Sequence, residues 1–391
     1  VTASSELAAK LERNAVDSLP AGALETKLEK AQDEGRPLRI KFGIDPTAPD
    51  IHLGHTVSLT KLREFQDAGH TVVLILGDYT ARVGDPSGRS KTRPELSAEE
   101  IDANAQTFQD QAFKILDPER VEIRRNSEWL DMSMMDLFKL MRLPTVAQLL
   151  ERDDFSKRYA EGTPIALLEL LYPLLQAYDS VAVKSDVEIG GTDQKFNLLL
   201  ARDVQNAHGM SQQAVLTMPI LPGTDGVRRM GKSLGNHIGV TEPPEEIFGK
   251  VMSIPDSAMP EYYDLLLTSA PDTEQPPVEQ KRELARQLVA RFHSDEDATA
   301  AEAHFDRLFK QHDAPEEIAD FAFSASEAEI HLPGLIADAF GQSRSEARRL
   351  IGQGGVSLDG EPVTANDLPA DQLDGKVLKV GKRRFKRLIA G

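Results

Sequence analysis

The stretch LRIKFGIDPTAPDIHLGHT, Leu38 to Thr56, restricts the fold more than any other part of the chain. Leu38, Ile40, Phe42 and Ile44 alternate with Arg39, Lys41, Gly43 and Asp45, the period of a β-strand with one apolar and one polar face. Lys41, Gly43 and Asp45 are therefore expected to look out on one side. Two prolines keep the segment from Asp45 to Asp50 extended, and His52-Leu53-Gly54-His55 then opens an amphipathic segment that reaches Ala68. The unit is strand, loop, helix, with HxGH at the helix start. The first turn of a helix presents unpaired backbone N–H groups and the positive end of the helix dipole, so phosphate is its natural guest. Imidazoles three residues apart sit on neighbouring turns and can donate to phosphate oxygens, and Gly54 between them lets a flat base approach the backbone. Two bland readings compete: an ordinary helix start, or two ligands of a zinc site. A zinc site needs partners, and the chain has no cysteine and no other His pair at ligand spacing, so no metal site is expected.

The following elements extend this unit into an α/β domain. His70 to Asp78, HTVVLILGD, is a continuous apolar run, typical of a strand covered on both faces of a parallel sheet. Strand, helix, strand begins a doubly wound, Rossmann-like parallel sheet, in which ligands bind at the carboxyl ends of the strands. Two helical segments precede it in residues 4–34, broken at Leu19-Pro20-Ala21-Gly22. Helix is predicted from Ser97 to Ile115, a strand from Val121 to Arg124, and a helical stretch from Trp129 to Leu150. Met132, Met134, Met135 and Met141 in that stretch read as core or subunit interface. Asp186 to Ile189 is a further strand, ending in Gly190-Gly191-Thr192-Asp193-Gln194 before a helix through His208. Thr241 to Phe323 reads as helical throughout, broken at Pro243-Pro244, Pro255 and Pro276-Pro277. Beyond it, helices from Pro333 to Ile351 lead into short strands punctuated by glycine. A chain of 391 residues is too long for one small core. The expected division is an α/β domain over 1–235, an α-helical domain over 236–328 and a small α+β domain over 329–391.

Three further stretches carry chemistry. Between Arg82 and Arg93, glycines flank Asp85-Pro86, and Arg89, Lys91 and Arg93 alternate so that they can curl around an anion; a plain surface loop is the alternative. In PIALLELLYPLLQAYD, Pro164 to Asp179, the residues Tyr172, Gln176 and Asp179 fall at i, i+4 and i+7 on one helix face. Polar groups in so apolar a helix need partners, which either a ligand bearing an amine and a hydroxyl or a structural hydrogen-bond network would supply. Leu221 to Asn236 presents Arg228, Arg229 and Lys232 among glycines. Such a loop is expected to be mobile, and able to close over a polyphosphate and neutralise charge on a departing pyrophosphate.

The net charge of −18 argues against a nucleic-acid partner until its distribution is considered. His331 to Gly391 holds ten Lys and Arg against seven Asp and Glu, and Lys376 to Arg387 holds seven basic residues and no acid. The tail is thus a basic patch on an acidic chain, or a solvated charge run. Arg344, Arg348 and Arg349 would gather on one side of a helix, with Lys382, Arg383 and Arg384 in the cluster beyond. No run of eighteen apolar residues and no signal-peptide pattern is present, so no membrane partner is expected, and the lack of cysteine agrees with a reducing, cytoplasmic setting.

HLGH followed by RMGKS across an α/β domain resembles the signature pair of class I aminoacyl-tRNA synthetases. GDPSGR, YPLLQAYD and GGTDQ narrow the resemblance to bacterial tyrosyl-tRNA synthetases, over essentially the whole chain. The terminal SRSEARRLIGQGGVSLDG resembles a small RNA-binding module shared with a ribosomal protein and pseudouridine synthases. The resemblance implies L-tyrosine, ATP and tRNA(Tyr) as partners, magnesium on the polyphosphate, and a homodimer. It implies that Asp45 and Thr47 lie over ribose and phosphates, that His52 and His55 bind phosphate oxygens, and that Gly43, Gly54, Gly191, Asp193 and Met230 border the nucleotide. Tyr172, Gln176 and Asp85 would face the substrate ammonium, Gln194 the carboxylate and Asp179 the phenol, while Arg89, Arg93, Arg229 and Lys232 would meet pyrophosphate. Three positions depart from the family pattern. Arg229-Met230-Gly231-Lys232-Ser233 stands for Lys-Met-Ser-Lys-Ser, Arg89 stands where many relatives have Lys, and Lys41 stands where a phenol-binding Tyr is frequent. Lys41 is accordingly expected to flank the substrate hydroxyl with Asp179.

Overall fold

The computed structural model describes residues 2–391 apart from 48–49, 87–96, 268–269, 310–317, 325–328 and 382–383. Arg89, Arg93, Lys382 and Arg383 therefore lie outside the described residues. The chain divides into two compact units, Val1–Asp295 and Glu296–Gly391.

The first unit is organised on a six-stranded sheet of β1 (Asp17–Leu19), β2 (Arg39–Ile44), β3 (Thr71–Leu76), β4 (Val121–Arg125), β5 (Val187–Gly191) and β6 (Ala214–Met218), in the order β1-β6-β5-β2-β3-β4. The last five run parallel, and β1 adds an antiparallel edge. β2 thus lies at the centre, bonded to β5 on one side and β3 on the other, and neither of its faces meets solvent along most of its length: Ile40, Lys41 and Phe42 are all buried. The two-faced strand expected from its alternation is corrected on this point. Only Gly43, at the carboxyl end, is exposed. β1 and β6 escaped the sequence pattern; β1 is only three residues long.

Helices α1 (Ala3–Glu12) and α2 (Ala23–Asp33) flank β1, and α3 (Leu53–Asp67) joins β2 to β3. α4 (Thr80–Val83) and α5 (Ala98–Ala112) precede β4. Ser97 starts α5: its hydroxyl accepts from the Glu100 amide, and the Glu100 carboxylate accepts the Ser97 N–H. The expected helix from Trp129 to Leu150 is three pieces, α6 (Ser127–Leu130), α7 (Met134–Met141) and α8 (Val146–Leu149), because Ser133 and Thr145 each cap a new start. α9 (Asp153–Ala160), α10 (Leu167–Ala182) and α11 (Lys195–Ala207) complete the α/β layer, and α12 (Pro244–Ser253), α13 (Met259–Leu266) and α14 (Pro277–Phe292) follow, each opening at a proline in its first two positions.

The second unit contains α15 (Asp295–Phe309), β7 (Asp320–Phe323), β8 (Glu329–His331), α16 (Leu332–Phe340), α17 (Arg344–Gly352) and β9 (Val356–Leu358), β10 (Glu361–Pro362), β11 (Asp367–Pro369), β12 (Val377–Val380) and β13 (Arg384–Ala390). Asp320–Phe323, read as the end of the helical run, is instead a strand paired in parallel with β13. Leu332, Ile336, Ala347, Ile351, Val356, Leu378 and Leu388 join the two helices to the sheet in one core.

Candidate active site

The carboxyl ends of β2 and β5 carry most of the predicted residues. Asp45 leaves β2 and accepts two hydroxyls: Thr80 Oγ1 reaches its Oδ1 at 2.7 Å and Tyr172 Oη its Oδ2 at 2.9 Å. Gly77 makes this possible, since a Cβ there would stand 2.2 Å from Asp45 Oδ1 and 2.4 Å from Thr80 Oγ1. The amide of Thr47 turns back to donate to the Asp45 carbonyl at 2.7 Å.

His52 caps α3 and the signature loops meet there. The Leu53 amide donates to the Ile238 carbonyl at 2.9 Å and the Val240 amide to the Ile51 carbonyl at 3.0 Å, so the segment after RMGKS is stitched beside HxGH. A Cβ on Gly54 would meet the His52 ring at 3.0 Å and Met230 Cβ at 3.5 Å, which accounts for glycine between the histidines. The two imidazoles stack with centroids 3.9 Å apart. His55 Nδ1 accepts the His52 amide at 3.2 Å, so in the neutral ring the proton sits on Nε2, the atom left to donate. Burial, with His55, His237 and Lys232 adding positive charge, pushes His52 down to about 2; burial and Lys232 push His55 down to about 4. Both rings are neutral hydrogen-bond donors at physiological pH.

The loop Leu221–Asn236, expected from its glycines to be mobile, is closed by an antiparallel bridge between Pro222 and Arg229. Asn236 is buried and holds it: its Oδ1 accepts from the Gly231 amide at 3.0 Å, and its Nδ2 donates to Asp225 Oδ2 at 3.0 Å and to the Arg229 carbonyl at 3.1 Å. Met230 is buried and Arg229 exposed. Lys232 is ion-paired with Asp50, at the end of the DPTAPD segment.

The helix stripe joins a network that the sequence did not show. Gln176 Oε1 accepts from Asn197 Nδ2 at 2.8 Å, the same amide reaches Gln194 Oε1 at 2.9 Å, and Gln194 Nε2 donates to Asp85 Oδ2 at 3.0 Å. Buried Arg152 reaches Asp85 at 3.5 Å and Asn197 Oδ1 at 3.2 Å. At the other end of the stripe Asp179, buried, accepts from Trp129 Nε1 at 2.8 Å. Gly191 ends β5 and Asp193 stands in the turn after it, where a Cβ on Gly191 would lie 2.6 Å from Asp193 Oδ1. Trp129, Arg152 and Asn197 are the functional candidates that sequence reasoning missed. The single tryptophan of the chain was the one available signal.

Lys41 departs from its expected place. It is fully buried, and its three N–H donors go to Glu188 Oε1 at 2.7 Å, Ser180 Oγ at 2.8 Å and the Gln176 carbonyl at 2.9 Å. No donor remains for a substrate hydroxyl.

In the second unit Arg344, Arg348 and Arg349 are all exposed on α17, as the spacing predicts. Arg349 is forked onto Glu346, Arg348 lies 3.4 Å from His331 Nε2, and Arg384 donates to Gln342 Oε1 at 3.0 Å.

A family model for class I tRNA synthetases of the tryptophan and tyrosine type matches residues 33–310, and an S4 domain model matches residues 335–369. The Tyrosine–tRNA ligase of Geobacter metallireducens is 49% identical over 98% of this chain and 98% of its own, and that of Moorella thermoacetica 48% identical over 97% and 94%. The chain belongs to the tyrosine–tRNA ligase family. The fold is also that of the Archaeoglobus fulgidus tyrosyl-tRNA synthetase solved with L-tyrosine, with a TM-score of 0.64 and 24% identity over 77% of this chain and 99% of that one. Among the described residues no helix is long and apolar enough to cross a membrane. In this synthetase, Trp129→Phe should weaken tyrosine binding by about ten- to a hundredfold while leaving ATP binding unchanged, since a hydrogen bond to a charged partner contributes about 1.5–3 kcal/mol; equilibrium dialysis with labelled tyrosine reads it.

Proposed function

We infer that the chain activates L-tyrosine with ATP, releasing pyrophosphate, and then passes the tyrosyl group to the 3′-terminal adenosine of tRNA(Tyr). The observation that carries this reading is the linked set of side chains around the carboxyl ends of β2 and β5: Tyr172 of the stripe bonds to Asp45, Gln176 connects through Asn197 and Gln194 to Asp85, and HxGH is stitched to the segment after RMGKS. In the first step the tyrosine carboxylate attacks the α-phosphate in line and pyrophosphate leaves; in the second an adenosine hydroxyl attacks the tyrosyl carbonyl and AMP leaves. No covalent enzyme intermediate is needed. Catalysis comes from positioning and from donors placed where negative charge develops.

In this assignment Tyr172, Gln176 and Asp85 hold the ammonium, Gln194 the carboxylate and Asp179 the phenol. Asp45, Gly43, Gly54, Gly191, Asp193 and Met230 border the adenosine, and Thr47, His52, His55, Arg89, Arg93, Arg229 and Lys232 serve the phosphates. Magnesium travels on the polyphosphate of ATP, whose oxygens supply the hard ligands it prefers. Tyrosine-dependent exchange of labelled pyrophosphate into ATP is the direct test. Exchange that responds to tryptophan instead would refute the substrate assignment.

The three segments 1–235, 236–328 and 329–391 serve as catalytic, anticodon-side and RNA-gripping parts. Support for the last is the exposed basic set on α17 and β13, Arg344, Arg348 and Arg384, with Lys382 and Arg383 next to it in sequence. Basic surfaces of this kind bind phosphate backbone and lose affinity steeply with salt. Deleting 331–391 should leave pyrophosphate exchange within about twofold of wild type and reduce tRNA charging at physiological salt by at least about tenfold. Wild-type charging by a folded truncation would remove tRNA from the role of this segment.

A second copy of the chain is the partner we assign to the apolar surface of α7, α8 and the start of α10. Met134, Met135, Val146 and Leu167 are each more than 60% exposed there, on helices that share one core through Leu140, Leu149 and Leu174, and large apolar patches on a surface mark interaction sites. Met135→Glu with Phe138→Glu should turn a dimer into a monomer in sedimentation; an unchanged sedimentation coefficient would reject this surface. A cytoplasmic location fits the cysteine-free composition and the tRNA substrate.

A further inference from the structure

Two buried charged groups beneath the stripe have no role in the mechanism above. Lys41 on β2 and Glu188 on β5 are 0% and 1% exposed and ion-paired at 2.7 Å. Their surroundings are fully committed: Lys41 bonds to the Gln176 carbonyl and Ser180 Oγ of α10, and Glu188 Oε2 accepts from Ser180 Oγ at 3.1 Å and from Gln213 Nε2. Both anchoring points on α10 lie within three residues of Asp179. A buried ion pair costs desolvation, and a hydrophobic pair of similar volume would pack as well; its retention at the base of a binding stripe calls for a purpose other than stability.

We propose that the Lys41–Glu188 pair is a positioning device for tyrosine recognition: it clamps the Gln176 to Ser180 turn of α10 onto the sheet and supplies Asp179 with compensating positive charge, while neither side chain touches substrate. The inference rests on the reading of Asp179 as the phenol acceptor. In this chain, selection of the hydroxyl then lies with Asp179 and its Trp129 donor, and the lysine acts from beneath.

The charges facing Asp179 fix the sign of the effect. Lys41 from β2 favours its ionised form; Glu188 from β5 disfavours it, as does burial; Tyr172 on its own helix is a neutral phenol tied to Asp45; and Arg124 from β4 lies over the Trp129 ring, 5.2 Å from its centroid. Burial, outweighing Lys41 and the Trp129 donor, pushes the Asp179 carboxyl up to about 7. Its ionised form, the better acceptor, therefore gains as pH rises through neutrality. Removing Glu188's charge lowers that midpoint, and removing Lys41's charge raises it.

The test is the affinity for labelled L-tyrosine, by equilibrium dialysis from pH 5.5 to 9, in the full-length chain. Glu188→Gln should move the binding midpoint down by about one pH unit, and Lys41→Met should move it up and weaken binding at pH 7 by at least about tenfold. The double variant should return to within about threefold of wild type, which also guards against a Lys41→Met protein that fails to fold. Asp179→Ala separates the two layers. If it binds tyrosine with wild-type affinity and pH dependence, the phenol assignment fails. If it loses that affinity while Glu188→Gln and the double variant keep the wild-type midpoint, the assignment stands and the Lys41–Glu188 inference is overturned.

Discussion

Asp179→Ala should cost the enzyme its preference for tyrosine over phenylalanine. In the structure Asp179 is buried at the end of the α10 stripe and held by the Trp129 N–H, with the Asn126 side chain also bonded to its carboxyl. In the assignment proposed above the tyrosine phenol adds a further hydrogen bond to that carboxyl, whereas phenylalanine leaves the desolvated group without it, and a bond missing in so buried a site is what makes hydroxyl-based selection strong. The magnitude is taken from this enzyme family, for which tyrosine is preferred by about 10⁵-fold, and not from the geometry. Removing the carboxyl removes the penalty as well as the bond. Tyrosine should therefore lose several powers of ten in kcat/KM while phenylalanine changes little, and the ratio should collapse toward the small value that a bare apolar pocket gives. Pyrophosphate exchange with both amino acids measures it, and a variant that still rejects phenylalanine as the wild type does would place the discrimination elsewhere.

The sequence was most legible where function is local. A strand, a proline-held loop and HxGH occupy nineteen consecutive residues, and the structure carries them as β2 and α3 with the histidines at the helix start. The i, i+4, i+7 spacing of Tyr172, Gln176 and Asp179 was equally readable, because helix geometry alone puts them on one face. Lys41 shows where period-2 reasoning stops. Alternation says which residues share a face, but whether that face meets water depends on the strand's neighbours, and β2 has β5 and β3 beside it with α10 against Lys41. The loop Leu221–Asn236 shows the same limit. Its glycines suggest freedom, yet Asn236 ties the hairpin with four bonds that no local pattern announces. Trp129 and Arg152 were illegible for a third reason: their partners Asp179 and Asp85 lie far away in sequence, as do Gln176 and Arg152 from Asn197, and only the fold brings them into reach.

His55→Ala and Lys232→Ala should each lower the rate of tyrosyl-adenylate formation by about 10²–10³, the effect of removing one preorganised donor from developing charge, with tyrosine affinity near wild type. Neither side chain belongs to the stripe assigned to the amino acid, so the loss should fall on the transition state. Lys232 is paired with Asp50, and it must exchange that carboxylate for a phosphate to act. Asp50→Ala frees the lysine of its rival and should lower the KM for ATP without changing that for tyrosine. The histidines add a pH signature. His55 donates as a neutral ring through Nε2, and burial holds its pKa at about 4, below the ordinary value near 6.5. Between pH 8 and 6 the activation rate should thus show no limb from imidazole protonation. Stability follows the opposite face of the same shift. The unfolded chain binds protons at these histidines near pH 6.5 and the folded chain does not, so their contribution is present above that value and is lost as pH falls from 6.5 toward 4 for His55 and toward 2 for His52. Stopped-flow activation rates and urea midpoints across that range read the two effects separately. An activation limb at pH 6.5 that disappears in His55→Ala would mean a protonated imidazole on the phosphate and would reverse the assignment of a neutral donor.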